Sequence, residues 1–167
     1  MRLPVLAILT SFCGLIFALP PPIKTNITAE TRVKIPDVIV TCTNHWFDMG
    51  DLRKARDYLV LWGSEYEVPS GCMKYERVND VIYYQCNCKW GPSDPVVLGE
   101  LEEAERLLAK ECGRGKTGRV LSRTWDKTWE INPYKMFQEI RHGHYAQILC
   151  PTNCARCTVQ AGARDED

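Results

Sequence analysis

The sequence predicts an α+β fold, a disulfide-stapled split βαβ arrangement in the order βαββαβ. In this two-layer sandwich two helices pack on one face of an antiparallel sheet. Three observations lead to it. The first is two stretches with apolar residues at three- and four-residue spacing, which is typical of helices. The second is a set of segments with a two-residue period, typical of strands, that precede, separate and follow those stretches. The third is the cysteine content, nine in 167 residues, which predicts cross-links between these elements.

The first two elements are a strand and a helix. The segment 38–42 is short and β-branched, which favours a strand. Asp48 can cap a helix, and Gly63 can end it. The apolar stripe of that helix is Leu52, Ala55, Leu59 and Trp62.

A hairpin follows, with strands at 72–78 and 81–89 and a turn at Asn79-Asp80. Two-residue periodicity separates the second strand into two faces. The face expected to point toward the helices carries Ile82, Tyr84, Cys86 and Cys88. The face expected to point outward carries Val81, Tyr83, Gln85 and Asn87.

The second half of the domain begins with another helix, which starts near Pro95 or Glu100 and ends at Cys112 before Gly113. From 119 to 131 the spacing returns to two, which predicts one long half-buried strand. We expect 134–149 to be irregular or partly extended, and the cysteines from Cys150 to Cys157 to staple the end of the domain.

The chain ends lie outside this domain. Residues 1–18 have a basic start, an apolar stretch and a small residue at the end, which is typical of a secretory signal peptide. We expect a flexible arm over 19–34, one cysteine-rich domain over 35–159 and a polar tail over 160–167. The protein is therefore predicted to be secreted, without a membrane span, and Asn26 lies in a glycosylation sequon.

Removing Cys13 with the signal peptide leaves an even number of cysteines, which predicts a disulfide framework. Its members are Cys42, Cys72, Cys86, Cys88, Cys112, Cys150, Cys154 and Cys157. Cys112 ends a helix expected to lie over the strand that bears Cys86 and Cys88, so we predict that it pairs with one of these two. A thiolate metal site is less consistent with an oxidising compartment. A redox pair at Cys154 and Cys157 is weakly supported, because a redox CxxC normally opens a helix after a strand and this one lies near a polar C-terminus. No metal or cofactor is expected.

Charge and loop composition exclude two further classes. The chain has 21 basic and 21 acidic residues, so it lacks the basic excess of a nucleic-acid binder. The segment 113–118 resembles a phosphate-binding loop, but Lys110 stands where that motif needs its first glycine. We interpret the segment as a flexible basic turn between a helix and a strand.

Exposed aromatic side chains are candidates for residues that bind a partner. Trp90 opens a Gly-Pro loop, and Tyr83 lies on the face expected to be outer, so both are candidates for a binding surface. No catalytic residues are expected. If the protein is instead a ribonuclease-type hydrolase, the acid–base candidates are His142, His144 and Glu139, with Arg141 or Glu130 also near in sequence.

Four segments resemble small cysteine-rich secreted proteins of filamentous fungi, many of which are candidate effectors in virulence. The segments are 83–88, 94–96, 100–113 and 122–131. The order of strands and helices is also similar to the killer-toxin-like α/β sandwiches among those effectors. The resemblance implies a non-enzymatic protein that acts on an extracellular host or competitor protein or glycan, and we expect a monomer. An antimicrobial toxin is a further alternative, although near-zero charge disfavours attraction to anionic membranes.

Overall fold

The computed structural model describes residues 33–142, 150–151 and 157–159, and at 140–142 and 157–159 it describes the backbone alone. The signal peptide predicted over 1–18, Asn26, His144, Cys154 and the tail at 160–167 lie outside these residues. The helices are α1 (Met49–Gly63), α2 (Leu98–Glu111) and α3 (Tyr134–His142). The strands are β1 (Val38–Trp46), β2 (Glu67–Val68), β3 (Cys72–Val78), β4 (Val81–Asn87), β5 (Asp94–Pro95), β6 (Lys116–Ser122), β7 (Lys127–Pro133) and β8 (Cys157–Val159).

The main sheet has the strand order β1-β6-β7-β4-β3-β8. Neighbouring strands in the series β1, β6, β7, β4 and β3 pair antiparallel. β8 pairs parallel with β3. The pairings make β1 parallel to β3 and β4 parallel to β6, so α1 and α2 each connect parallel strands that other strands separate. β2 and β5 form a second, two-stranded sheet, here called the ribbon. The α+β prediction is confirmed.

Both large helices form where the apolar spacing predicts them. Asp48 caps α1 by accepting hydrogen bonds from the backbone N–H groups of Gly50 and Asp51, at 2.7 and 3.0 Å. The predicted stripe of α1 is buried in full. α2 begins at Leu98, between the two predicted starts, and no side chain among the described residues caps it. Its buried positions include Leu101, Ala104 and Leu108.

The two faces of the sheet are each covered, but the faces of β4 are the reverse of the predicted ones. Val81 and Tyr83 pack with α1 and α2 in the larger core cluster. Ile82, Tyr84 and Cys86 lie on the opposite face, in a cluster with Phe137 of α3. The prediction that the cysteines of β4 point toward the two large helices is therefore wrong. Both faces of β4 are buried and each carries a tyrosine and a β-branched residue, so its periodicity could not say which face met which helix.

Two further predictions are wrong. The segment 119–131 is a hairpin rather than one strand, since β6 and β7 pair through Ser122↔Lys127 and Arg119↔Glu130. The turn 123–126 contains neither glycine nor proline, and Asp126 takes the left-handed conformation at φ 47°. The segment after Pro133 begins with α3, whose Phe137 fills the second cluster.

Disulfide bonds are present as predicted, but the pairing proposed for Cys112 is wrong. Cys112 bonds to Cys42 of β1, with Cα atoms 5.5 Å apart, and Cys86 bonds to Cys150, with Cα atoms 6.1 Å apart. Cys72 and Cys88 are also disulfide-bonded. Because Cys86 points away from α2, the helix end that carries Cys112 reaches the edge strand instead.

In the described part of the chain, no helix is both long enough and apolar enough to cross a membrane.

Candidate functional site

The two predicted recognition residues have opposite environments. Tyr83 is 0% exposed, and its hydroxyl donates to the carbonyl oxygen of Leu101 at 3.0 Å. It is a core residue beneath α2. Its assignment to a binding surface is wrong because the face of β4 that carries Tyr83 packs against the helices. Trp90, in contrast, is 72% exposed and lies in the loop between β4 and β5.

The Trp90 loop is held by hydrogen bonds on both sides of the tryptophan. Ser70 Oγ donates to the carbonyl oxygen of Lys89 at 2.5 Å and accepts from the N–H of Gly91 at 3.0 Å. Gly91 has φ 99°, a conformation that side-chain-bearing residues rarely adopt. One hydroxyl and one glycine therefore fix the backbone on either side of Trp90.

A buried asparagine supports the same loop from below. Asn87 is 0% exposed, and its Nδ2 donates to the carbonyl oxygens of Val68 and Pro92, both at 2.9 Å. Its Oδ1 accepts from the N–H of Lys89 at 3.0 Å. The amide thus ties the loop to β2, and a loop fixed in this way loses little conformational entropy when it binds a partner.

A buried charge cluster anchors the ribbon to β7. The ammonium of Lys127, a residue 1% exposed, contacts Asp94 Oδ2 at 3.1 Å, Glu100 Oε2 at 2.5 Å and the carbonyl oxygen of Pro95 at 2.9 Å. Lys89 contacts Asp94 Oδ1 at 2.7 Å. Burial raises the pKa of Glu100, and the charge of Lys127 opposes that rise.

Exposed apolar side chains precede and follow the two ribbon strands in sequence. Tyr66 precedes β2 and is 53% exposed, and its ring stacks on that of Trp62 at 5.6 Å. Gly63, at the end of α1, lies against Val96 just after β5. We call the exposed apolar residues that flank the two strands the ribbon surface; they are Leu61, Tyr66, Trp90, Val97 and Leu98.

A second polar arrangement lies on the sheet face opposite α1 and α2. Glu130 of β7 is 4% exposed; its Oε2 accepts from Arg119 Nε at 2.5 Å and its Oε1 from Asn132 Nδ2 at 2.7 Å. Asn132 Nδ2 also donates to the Tyr84 hydroxyl at 3.2 Å. Burial raises the pKa of Glu130, and the Arg119 guanidinium opposes that rise. Two-residue alternation on β7 was the sequence signal for this face.

The residues predicted for a hydrolase are only partly described. Glu139 is exposed on α3, and α3 ends at His142, of which only the backbone is described. His144 lies outside the described residues. Sequence reasoning named Glu130 only as a neighbour of the histidines and missed Arg119 and Tyr84, which contact it through pairing of β6, β7 and β4.

A small cavity lies between α1, α2 and the loop 113–116. Its volume is about 30 Å³, enough for one water molecule, and its lining includes Phe47, Met49, Leu108 and Glu105. Burial raises the pKa of Glu105 to about 7, against the opposing charge of Arg56, whose Nη1 lies 3.3 Å from Glu105 Oε2. Glu105 Oε1 is buried and accepts no hydrogen bond from the residues that the structure describes.

Among the described residues, no group of three or more histidine, cysteine, aspartate or glutamate side chains is arranged to hold a metal ion. The arrangements that remain are the ribbon surface and the buried carboxylate at Glu130. Comparison of the chain with protein-family models, with curated proteins and with solved structures found no match.

Proposed function

We propose that this is a secreted, disulfide-stapled binding protein that engages an extracellular host or competitor protein or glycan through its ribbon surface. The observation that carries the proposal is Trp90, which is 72% exposed on a loop fixed by hydrogen bonds of buried Asn87 and of Ser70. Leaving large apolar side chains exposed to water costs free energy, and monomeric proteins rarely expose them in clusters.

The geometry of the loop suits recognition. Tryptophan is enriched among the few residues that supply most of the affinity in protein interfaces, and its planar ring also stacks on sugars. Asn87 and Ser70 hold the loop before any partner arrives, which reduces the ordering cost of binding. The Lys127 cluster lies beneath β5 and fixes the ribbon against β7. Buried polar groups here support an exposed apolar residue.

The test is genetic complementation in the producing organism. The gene is deleted and replaced by the wild type, by Trp90→Ala or by Tyr58→Ala, and secreted amounts are matched. Tyr58 is the control because it is 41% exposed on α1 but lies outside the ribbon surface. We expect host colonisation or microbial competition to be restored by the wild type and Tyr58→Ala, and lost in Trp90→Ala. Deletion without a phenotype, or full rescue by Trp90→Ala, would reject the proposal.

A ribonuclease-type hydrolase is the second proposal, and the Glu130 arrangement favours it. A buried carboxyl of raised pKa beside a guanidinium is a group that can move a proton next to an anionic substrate. The test incubates the secreted protein with RNA and compares it with Glu130→Gln and with a variant in which His142 and His144 are alanine. Cleavage that disappears in Glu130→Gln supports this role. Absence of cleavage by the wild type would reject the hydrolase proposal. Full cleavage by the histidine variant would exclude His142 and His144 from the reaction.

A further inference from the structure

The loop between α2 and β6 forms a second exposed surface, at the end of the sheet opposite the Trp90 loop. Trp46, the last residue of β1, is 69% exposed and lies opposite Lys116 in the sheet. Trp90 follows β4 at the other end, where Asn87 pairs with Lys127. We call Trp46, Arg114 and Lys116 the basic-loop surface.

An irregularity in β1 sets the direction of Trp46. The pairing of β1 with β6 shifts between Cys42 and Trp46, and Asn44 takes a left-handed conformation at φ 59°. The Thr43 hydroxyl donates to Thr117 Oγ1 at 2.7 Å. Bulges of this kind at a sheet edge redirect side chains, and asparagine adopts the left-handed conformation more readily than most residues with a side chain.

The indole of Trp46 is supported on one side. The Lys116 ammonium lies 4.0 Å from the ring centroid, a cation–π contact. Gly115 has φ 78°, and a Cβ added there would lie 3.5 Å from a carbon of the ring. The N–H of Phe47 donates to the carbonyl oxygen of Gly115 at 3.1 Å, which joins the loop to the end of β1. The loop therefore supports the ring, which remains largely exposed.

Arg114 and Lys116 have no carboxylate partner among the described residues. The nearby acids Glu105 and Glu111 pair with Arg56 and Lys110. Asp48 and Asp51 lie at the N-terminus of α1, where the helix dipole compensates part of their negative charge. Arg114 is exposed and forms no ion pair among the described residues, and Lys116 lies over Trp46. Lys116 over the aromatic ring, with Arg114 two residues before it in the same loop, complements a carboxylate next to an apolar side chain.

We propose that the basic-loop surface docks an acidic segment of a protein partner, with an apolar side chain of that segment on Trp46 and its carboxylates on Arg114 and Lys116. A nucleic acid or sulfated glycan would use many cations along its backbone, whereas this surface offers two and the whole chain carries as many acids as bases. The proposal is independent of the ribbon surface, since the two surfaces lie at opposite ends of the sheet.

The test is NMR titration of the ¹⁵N-labelled, disulfide-intact protein. The probe is a short synthetic peptide of glutamates around one phenylalanine, and the comparison peptide has lysines in place of the glutamates. We expect the glutamate peptide to give saturable shifts of the Trp46 indole N–H and the Gly115 amide, weakened by salt. The lysine peptide should give none.

Variants decide which residues carry the binding. Reversal of both charges, Arg114→Glu with Lys116→Glu, should weaken the apparent affinity at least about tenfold, and Trp46→Ala should do the same without altering the fold. Arg123→Glu is the matched charge control, since Arg123 is exposed in the turn between β6 and β7 at the other end of the sheet. Trp90→Ala should bind as the wild type does.

Three results would overturn the proposal. The first is the absence of saturable shifts at Trp46. The second is equal binding of the lysine peptide. The third is tighter binding of a sulfated oligosaccharide or a DNA oligonucleotide at the same residues, which would assign the surface to a polyanion.

Discussion

Replacement of Glu105 by glutamine should stabilise the protein at alkaline pH although it removes an ion pair. Glu105 lines the small cavity, its Oε2 lies 3.3 Å from Arg56 Nη1, and within the described part of the chain its Oε1 accepts no hydrogen bond. Burial raises its pKa from 4.5 to about 7, so the desolvation of the carboxylate outweighs the attraction of Arg56. The Glu105→Gln side chain keeps the shape and is neutral at every pH.

The sign of the effect follows from proton binding. Between about pH 4.5 and pH 7 the unfolded chain releases the Glu105 proton while the folded protein retains it, so the free energy of unfolding falls as pH rises. Each pKa unit is worth about 1.36 kcal/mol, which sets an upper bound of about 3 to 4 kcal/mol on the loss. Solvent reaches part of the side chain and reduces this loss. Glu105→Gln avoids it, so the variant should exceed the wild type by about 1 to 3 kcal/mol at pH 8 and match it near pH 4.

The assay is urea unfolding of both proteins across this pH range with disulfides intact. Other buried carboxyls, Glu100 and Glu130, also have raised pKa values, so only the difference between variant and wild type isolates Glu105. Glu102→Gln is the matched control because that carboxylate is half-exposed and lies 3.6 Å from the same Arg56 Nη1. A variant less stable than the wild type at pH 8 would refute the reasoning, since Arg56 would then outweigh desolvation.

Three other substitutions test the buried parts of the fold by urea or thermal unfolding. Lys127→Met leaves the partly buried Glu100 without an ammonium and buried Asp94 with that of Lys89 alone, and should cost about 3 to 5 kcal/mol, whereas exposed Lys54→Met should change little; equal effects would contradict the charge cluster. Replacement of Cys86 and Cys150 by serine opens a loop with a sequence separation of 64 and should cost about 4 kcal/mol, and an unchanged melting temperature would argue against that bond. Tyr83→Phe should cost about 1 kcal/mol through its lost hydrogen bond and leave partner binding unchanged; impaired binding at equal stability would return Tyr83 to the recognition surface.

The helices were predictable because their signals are local. Asp48 caps α1, and the buried stripe recurs at the helical period as far as Trp62. For β4 the same kind of pattern was insufficient. Its position in the middle of the sheet buries both faces, so Tyr83 and Tyr84 are equally apolar neighbours with opposite packing partners. Only tertiary contacts could assign Tyr83 to the core and Cys86 to the face away from α2.

The hairpin of β6 and β7 was concealed for a different reason. The two-residue alternation of side chains continues without a break through the turn at 123–126. The residue in the left-handed conformation there is Asp126 rather than a glycine. Trp125 in that turn packs against the larger core, so a turn residue resembles a strand residue in sequence. The Glu130 arrangement inherits this difficulty, because its contact with Arg119 exists only when the chain reverses between them. Trp90, in contrast, was identified from a loop signal that depends on sequence neighbours alone.

The pairing of β1 with β6 has a consequence for the order of folding. Val38 lies opposite Ser122, so this edge strand must find a partner from the far half of the chain, whereas β3–β4 and β6–β7 are hairpins of sequence neighbours. Closing a long loop costs more entropy than closing a short one, so we expect β1 to dock last. The Cys42–Cys112 bond joins the same distant regions, at the strand position where Cys42 pairs with Gly118. Formation of this disulfide bond before β1 pairs would hold β1 close to β6. The pairing of the two strands would then be a local step, and the register of β1 would be fixed.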